Sequence, residues 1–193
     1  DFDCDNFLIS QQEFEQASDK VDHELIESLE YAFENISNYQ SKCYESLNLE
    51  PSDDDIKRKF RVIDSVGMYI PGGQASYPST VLMAAAPALA CGVRNISLTT
   101  PPQNGMLNSL TIAAAKVAGI KKIYKIGGAQ AIAALALGTN QVSKVDKVIG
   151  PGNAFVAEAK KQLFGEVGID SIAGPSEIVI LADDTSDPET IAW

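Results

Sequence analysis

Histidine and cysteine are both scarce in this sequence. Its 193 residues include one histidine, His23, and three widely separated cysteines, Cys4, Cys43 and Cys91. A single histidine excludes a multi-histidine zinc site made from this chain alone, and a Ser-His-Asp triad would have no histidine to use other than His23. Three scattered cysteines provide neither a disulfide scaffold nor a Cys-x-x-Cys zinc motif, and they favour a reducing compartment, the cytoplasm. We expect His23 on the surface of an acidic helix and Cys91 as a buried structural thiol.

Long apolar runs and an excess of basic charge are also missing. No stretch of about 18 apolar residues is present, so no segment is expected to span a membrane. The net charge of −11 argues against nucleic acid as a partner, because phosphate binding needs a basic surface. Hydrophobic residues make up 45% of the chain and charged residues 21%. These proportions are typical of one globular domain, alone or with an appendage.

The acidic residues are concentrated at the start of the chain. Residues 1–55 hold 16 of the 26 acidic residues but only two of the 15 basic ones. Such a shift is typical of a domain boundary. We predict an acidic helical segment over 1–59, an α/β domain over 60–184, and the start of a further helix over 185–193. The chain begins at Asp1 without a methionine and ends within that helix, so we expect it to be part of a longer protein.

The hydrophobic pattern changes at about residue 60. Before it, apolar residues at helical spacing predict a helix over 22–45, which Leu25, Leu29 and Phe33 would pack against the α/β domain. After it, short β-branched runs alternate with alanine-rich segments. Strands or extended chain are predicted at 61–70, 95–99, 122–126, 147–149 and 178–181, and helices at 79–90, 107–118, 129–137 and 154–164. This alternation predicts a doubly wound parallel α/β sheet.

Glycine-rich turns follow several of the predicted strands, at residues 71–73, 127–128 and 150–152. Ligands of open α/β sheets bind at the carboxyl ends of the strands. Glycine allows close approach of the backbone, and a helix N-terminus offers N–H groups to an anion. The turns therefore favour a site for a phosphate-bearing cofactor. The alternative is that these glycines only form tight turns between strands and helices.

Two common phosphate-binding patterns are absent. Gly150-x-Gly152-x-x-Phe155 departs from the dinucleotide fingerprint, because phenylalanine stands where a third small residue is needed. The Walker pattern is missing as well. Asp170 lies 20 residues after Gly150, at the spacing of a ribose-binding acid, but no other residue supports that role and we do not assign it. The residues alone indicate an α/β ligand-binding domain.

Several longer sequence blocks are more specific than these patterns. They are GMYIPGG at 67–73 with YPSTVLM at 77–83, IGGAQAIAALA at 126–136, VDKVIGPGN at 145–153, and GIDSIAGPSE at 168–177. In this order and spacing they resemble the core of the histidinol dehydrogenase family over residues 67–184. The resemblance implies a Rossmann-like fold of the aldehyde-dehydrogenase-like type with an N-terminal helical arm. It also implies a zinc-dependent homodimer that uses NAD to oxidise L-histidinol through the aldehyde to L-histidine.

The resemblance further implies roles for individual residues. Tyr69, Gln130 and Asn153 fall on NAD-contacting positions of the family, and Ser176 falls on a substrate-contacting position. The first three can offer hydrogen bonds beside a glycine turn. Asn153 also suits a helix N-cap, and Ser176 also suits a turn. The zinc ligands and the Glu-His acid/base pair of the family are expected beyond residue 193, so we expect no catalytic or metal-binding residue in this chain.

Two other classes of protein remain open from the sequence. One is a non-catalytic binding module that keeps the nucleotide-binding fold without the chemistry. The other is an aldehyde dehydrogenase, which needs an activated cysteine in a polar, accessible site. Cys91, at the end of an apolar helix, does not match that description. As the cofactor-binding part of a histidinol dehydrogenase, this chain is expected to be inactive by itself.

Overall fold

A computed structural model describes residues 6–47, 59–72, 77–172 and 177–192 of the chain. In these residues the helices are α1 (Gln11–Ser18), α2 (His23–Leu47), α3 (Pro78–Ala90), α4 (Ser109–Val117), α5 (Gly128–Leu137), α6 (Ala154–Leu163) and α7 (Pro188–Ala192). The strands are β1 (Ser65–Tyr69), β2 (Asn95–Thr100), β3 (Lys122–Lys125), β4 (Lys147–Ile149) and β5 (Gly168–Ile169). The predicted helices and the first four predicted strands are confirmed, with shifted ends.

The five strands form one parallel sheet in the order β3-β2-β1-β4-β5. In the centre, Val66 of β1 is paired with Ile96 of β2 on one side and Lys147 of β4 on the other. The chain therefore runs outward from β1 to β3, returns to the middle, and runs outward again through β4. The point between β1 and β4 is the topological switch at which open α/β sheets bind ligands.

Helices cover both faces of the sheet, which confirms the prediction of a doubly wound fold. Successive strand residues point to opposite faces, so Met68 and Tyr69 enter different hydrophobic cores. On one face Met68 packs with α3 and α4, represented by Leu82 and Ile112. On the other face Tyr69 packs with α5 and α6. The strands that lead into the glycine turns are thus packed between helices on both faces of the sheet.

The N-terminal segment covers the outer edge of β3. The Ile9 N–H donates to the Ile123 carbonyl at 2.9 Å, and the Lys125 N–H donates to the Phe7 carbonyl at 2.7 Å. The Lys125 Nζ also lies 3.0 Å from Glu13 Oε1 in α1. An exposed edge strand presents unpaired backbone groups to other chains. The segment satisfies those groups within the same chain.

Helix α2 packs on the outside of α3 and α4, as predicted. Leu29 and Phe33 contact the core on that face. The prediction that Leu25 packs against the α/β domain is wrong, because Leu25 is 49% exposed. In the first turn of α2 the half-buried residue is Ile26. The buried face of the helix therefore includes Ile26 instead of Leu25. Among the described helices, none combines the length and apolar character that crossing a membrane requires.

Two further predictions are wrong. Residues 178–181 form no strand, and these four apolar residues are 61–99% exposed. Their composition is that of a buried strand, but the described sheet ends at β5 and offers them no partner. Cys91 is half-buried rather than buried, because it follows the last turn of α3 and lines an open apolar groove of about 360 Å³ beside Tyr44 and Phe60.

Candidate functional site

Because the strands are parallel, the glycine turns after β1, β3 and β4 lie together where the carboxyl ends of the strands meet. We refer to this carboxyl end of the sheet as the sheet edge. Pro101, just beyond β2, separates two of them. A Cβ on Gly127 would lie 2.4 Å from the Pro101 Cβ, and a Cβ on Gly72 would lie 2.7 Å from the Pro101 Cγ. Real Cβ atoms do not approach so closely, so only glycine fits at either position. The turns are packed side by side around the end of β2.

Tyr69 joins the second turn to the third. It is the last residue of β1 and is 4% exposed. Its hydroxyl oxygen accepts the Gly128 N–H at 3.2 Å, which uses one of the free N–H groups at the start of α5. Its carbonyl oxygen faces Gly150, where a Cβ would lie only 2.1 Å away. The hydroxyl keeps its own proton for donation.

Gln130 lies in the first turn of α5 and is exposed. Its side chain folds back over Gly128, where a Cβ would lie 2.9 Å from the Gln130 Oε1. Gly128 has a φ of +67°, a conformation that residues with side chains rarely adopt. Glycine at this position therefore gives both the turn geometry and the space that the Gln130 amide occupies.

Asn153 is the N-cap of α6. Its Oδ1 accepts the N–H groups of Phe155 and Val156, both at 3.1 Å, which confirms the helix N-cap considered from the sequence. The residue is exposed, and its NH₂ group takes no part in this cap. The preceding Gly152 has no room for a side chain, because a Cβ would lie 2.3 Å from the Val156 Cγ1. The start of α6 is therefore capped and closely packed.

An ion pair that the sequence pattern did not predict lies beneath the turn after β4. The buried Lys160 Nζ lies 2.7 Å from the Asp170 Oδ1, and the Asp170 Oδ2 accepts the Gly150 N–H at 2.7 Å. A cavity of about 250 Å³ is lined by these residues and by Pro151. Lys160 follows the buried Val156 by four residues, so it lies on the inner face of α6. The four-residue spacing between Val156 and Lys160 is the one feature of the sequence that indicates burial of Lys160.

Opposing effects act on the pKa of Asp170. Partial burial raises it, because a carboxylate is less well solvated there, whereas hydrogen bonds from Lys160, Gly150 and Ser171 lower it. The hydrogen bonds prevail and hold the pKa below the ordinary value for aspartate. Asp170 is therefore a carboxylate at neutral pH, turned towards the protein backbone.

The remaining candidate residues lie elsewhere. His23 is in α2, with its side chain 85% exposed and 3.4 Å from Glu27, which confirms the expected surface position. Ser176 lies outside the described residues. Within the described ranges no group of three or more His, Cys, Asp or Glu residues could hold a metal ion. This part of the chain therefore does not fit the zinc that the resemblance implies.

An open parallel sheet wound on both faces, with glycine turns and two helix N-termini at its switch point, defines a Rossmann-like α/β domain. Comparison with known proteins identifies the family. The family model described as histidinol dehydrogenase matches residues 1–193. The chain belongs to the histidinol dehydrogenase family, as the sequence blocks indicated.

Individual relatives agree with this assignment. Histidinol dehydrogenase from Oceanobacillus iheyensis is 50% identical over 94% of the chain, and that from Bacillus subtilis is 49% identical over 99%. The crystal structure of histidinol dehydrogenase from Elizabethkingia anophelis matches 97% of the chain with a TM-score of 0.86 and 39% identity. The chain spans less than half of each relative, 43%, 46% and 44% of their lengths respectively.

Proposed function

We propose that this chain carries the NAD-binding side of a histidinol dehydrogenase. The whole protein would oxidise L-histidinol through the aldehyde to L-histidine. Family membership supports the reaction, and the arrangement at the sheet edge supports the cofactor. The observation that carries the proposal is the meeting of the turns at Gly128 and Gly150 on either side of Tyr69, at the topological switch point.

The cofactor fits this edge for two physical reasons. The N-termini of α5 and α6 provide partial positive charge and backbone N–H groups, both of which favour the diphosphate of a dinucleotide. The glycines leave the backbone bare where a Cβ would block approach. Bound NAD would supply the hydride acceptor. The side chains of Tyr69, Gln130 and Asn153 would then bind and orient it, and Ser176 would contact the substrate.

The rest of the active site belongs to the whole protein. We place the zinc ligands and the acid/base residues outside the described part of the chain, which offers no suitable cluster. The whole protein would be a cytoplasmic zinc-dependent homodimer, with neither nucleic acid nor membrane among its partners. The chain by itself is expected to bind NAD without oxidising histidinol.

Calorimetric titration of the chain with NAD tests the proposal. Gln130→Ala should weaken binding by about 1–2 kcal/mol, the cost of a lost hydrogen bond with its partner left unpaired. This corresponds to a dissociation constant raised roughly 5- to 30-fold. Gln162→Ala is the matched control. Gln162 is an exposed glutamine at the C-terminal end of α6, away from the glycine turns, and it bonds to Glu158. It should leave the affinity unchanged.

His23→Ala provides a second control on a different helix and should also leave the affinity unchanged. No binding of NAD by the unaltered chain would refute the cofactor assignment. Equal weakening by His23→Ala and Gln130→Ala would instead show that the site is not at the sheet edge. Turnover of histidinol by the chain alone would show that the catalytic groups have been misplaced.

A further inference from the structure

A charged side chain is buried directly beneath the turn that follows β4. Lys160, on the inner side of α6, is 3% exposed and is the only buried charged residue in the described part of the chain. Burial of an ammonium group is costly unless the group is paired and hydrogen-bonded. Its partners therefore decide whether this burial is tolerated.

Lys160 and Asp170 together hold both main-chain polar groups of one residue. The Lys160 Nζ pairs with the Asp170 Oδ1 at 2.7 Å and also donates to the Gly150 carbonyl. The Asp170 Oδ2 accepts the Gly150 N–H at 2.7 Å. Both main-chain hydrogen bonds of Gly150 are thus made to charged side chains, which form the stronger class of hydrogen bond.

Gly150 is the residue at which the chain leaves β4. Its φ is +114°, and the absent Cβ would lie 2.1 Å from the carbonyl oxygen of Tyr69. Three residues later Asn153 caps the start of α6. A rotation of the backbone at Gly150 would therefore displace the turn and the helix N-terminus together, relative to β1.

A contribution to stability does not by itself explain why Lys160 and Asp170 form a buried ion pair. The cost of desolvating two buried charges offsets much of their attraction, and apolar side chains of similar size often stabilise a protein equally well. Apolar side chains cannot, however, bond to the N–H and the carbonyl of Gly150. The particular contribution of the pair is therefore to the position of the turn.

We propose that Lys160 and Asp170 are positioning residues for the cofactor-binding turn. They fix Gly150 so that the backbone of residues 150–152 and the N-terminus of α6 meet the diphosphate of NAD in a single geometry. Both act through Gly150, and neither contacts the cofactor. This inference rests on the proposed function, because it assigns a role in binding the same ligand at the same edge.

The main test is the double variant Lys160→Met with Asp170→Leu, which replaces the ion pair by apolar side chains. Removal of two desolvated charges offsets only part of the cost of leaving the Gly150 N–H and carbonyl unpaired, so we expect its midpoint of urea unfolding to fall. We expect its dissociation constant for NAD to rise about tenfold, as for the loss of one hydrogen bond of ordinary strength. A merely structural role predicts that affinity follows stability. Unchanged affinity would overturn the inference.

Asp146→Ala is the matched control for lost stability. The Asp146 Oδ2 accepts the N–H and the hydroxyl of Ser65, both at 2.8 Å, at the amino-terminal ends of β1 and β4 and so away from the glycine turns. Its removal should lower the urea midpoint without changing the affinity for NAD. Because the double variant is also expected to lose stability, Asp146→Ala shows whether such a loss by itself weakens NAD binding.

Amide hydrogen exchange at Gly150 provides a readout that does not depend on NAD. In the ligand-free chain this amide should be protected, and in the double variant it should exchange faster. Unchanged protection would overturn the inference whatever happens to affinity. Failure of the unaltered chain to bind NAD would refute the proposed function and the positioning role with it. Equal NAD binding by both proteins would refute the positioning role alone.

Discussion

Replacement of Gly150 by alanine is expected to lower the free energy of unfolding by roughly 2–5 kcal/mol. Two costs add at this position. A side chain at a φ of +114° is strained, at about 1–2 kcal/mol. The new methyl would also lie 2.1 Å from the Tyr69 carbonyl oxygen, and crowding of this kind costs about 1–3 kcal/mol. Because the contacting atom belongs to the backbone of β1, it cannot rotate away.

Urea unfolding followed by circular dichroism measures this loss. At about 2 kcal/mol per molar urea, the midpoint should fall by about 1–2.5 M. Gly119→Ala separates the two costs. Gly119 also has a positive φ, +72°, but no atom lies within 4 Å of its absent Cβ. This control should show the strain alone, a fall of about 0.5–1 M.

Gly67→Ala tests the opposite case, crowding without a positive φ. Its new methyl would lie 2.8 Å from the Leu135 Cδ1, the end of a flexible side chain. We therefore expect a smaller loss than for Gly150→Ala. If Gly150→Ala and Gly119→Ala unfold at the same urea concentration, the reasoning is refuted, because contact with β1 would then cost nothing.

Two further predictions concern helix capping and pH. Asn108→Ala and Asn153→Ala each remove an N-cap that accepts two N–H groups, so each should lower the free energy of unfolding by about 1 kcal/mol. Only Asn153→Ala should also weaken NAD binding in calorimetry, and equal effects of the two variants on NAD would contradict this. The lowered pKa of Asp170 stabilises the folded state above the ordinary aspartate pKa of about 3.9, and this contribution is lost as pH falls through the lowered value. Asp170→Asn should therefore flatten the loss of stability below about pH 4 in acid titrations, and an unchanged acid profile would contradict the assignment.

The elements predicted from the sequence are those with strong local patterns. Alanine-rich segments closed by glycine gave the helices, and short apolar runs gave the central strands. The local pattern did not predict strands correctly where pairing with a neighbouring strand decides the structure. β5 comprises only Gly168 and Ile169, too few residues for a periodic pattern, yet it pairs with β4. Residues 178–181 have the composition of a strand but no partner among the described residues.

The glycine turns of the site were also predictable, because Gly127-Gly128 and Gly150-Pro151-Gly152 follow predicted strands. The contacts between them were not. That Tyr69 bonds to Gly128 and touches Gly150 depends on the order of strands in the sheet, which the sequence pattern does not specify. Lys160 was missed for a related reason. A lysine in a helix is usually solvated, and only its carboxylate partner ten residues later explains its burial.

The hydrogen bonds that cover the edge of β3 have a consequence for the order of folding. They join Phe7 and Ile9 to residues more than 100 positions later in the chain. Closing so long a loop costs conformational entropy, which is recovered only after the intervening strands have assembled. During synthesis Phe7 and Ile9 emerge long before Ile123 and Lys125, and until these residues pair the edge of the sheet stays open to neighbouring chains. The segment around Phe7 and Ile9 therefore protects this edge against aggregation only late in folding.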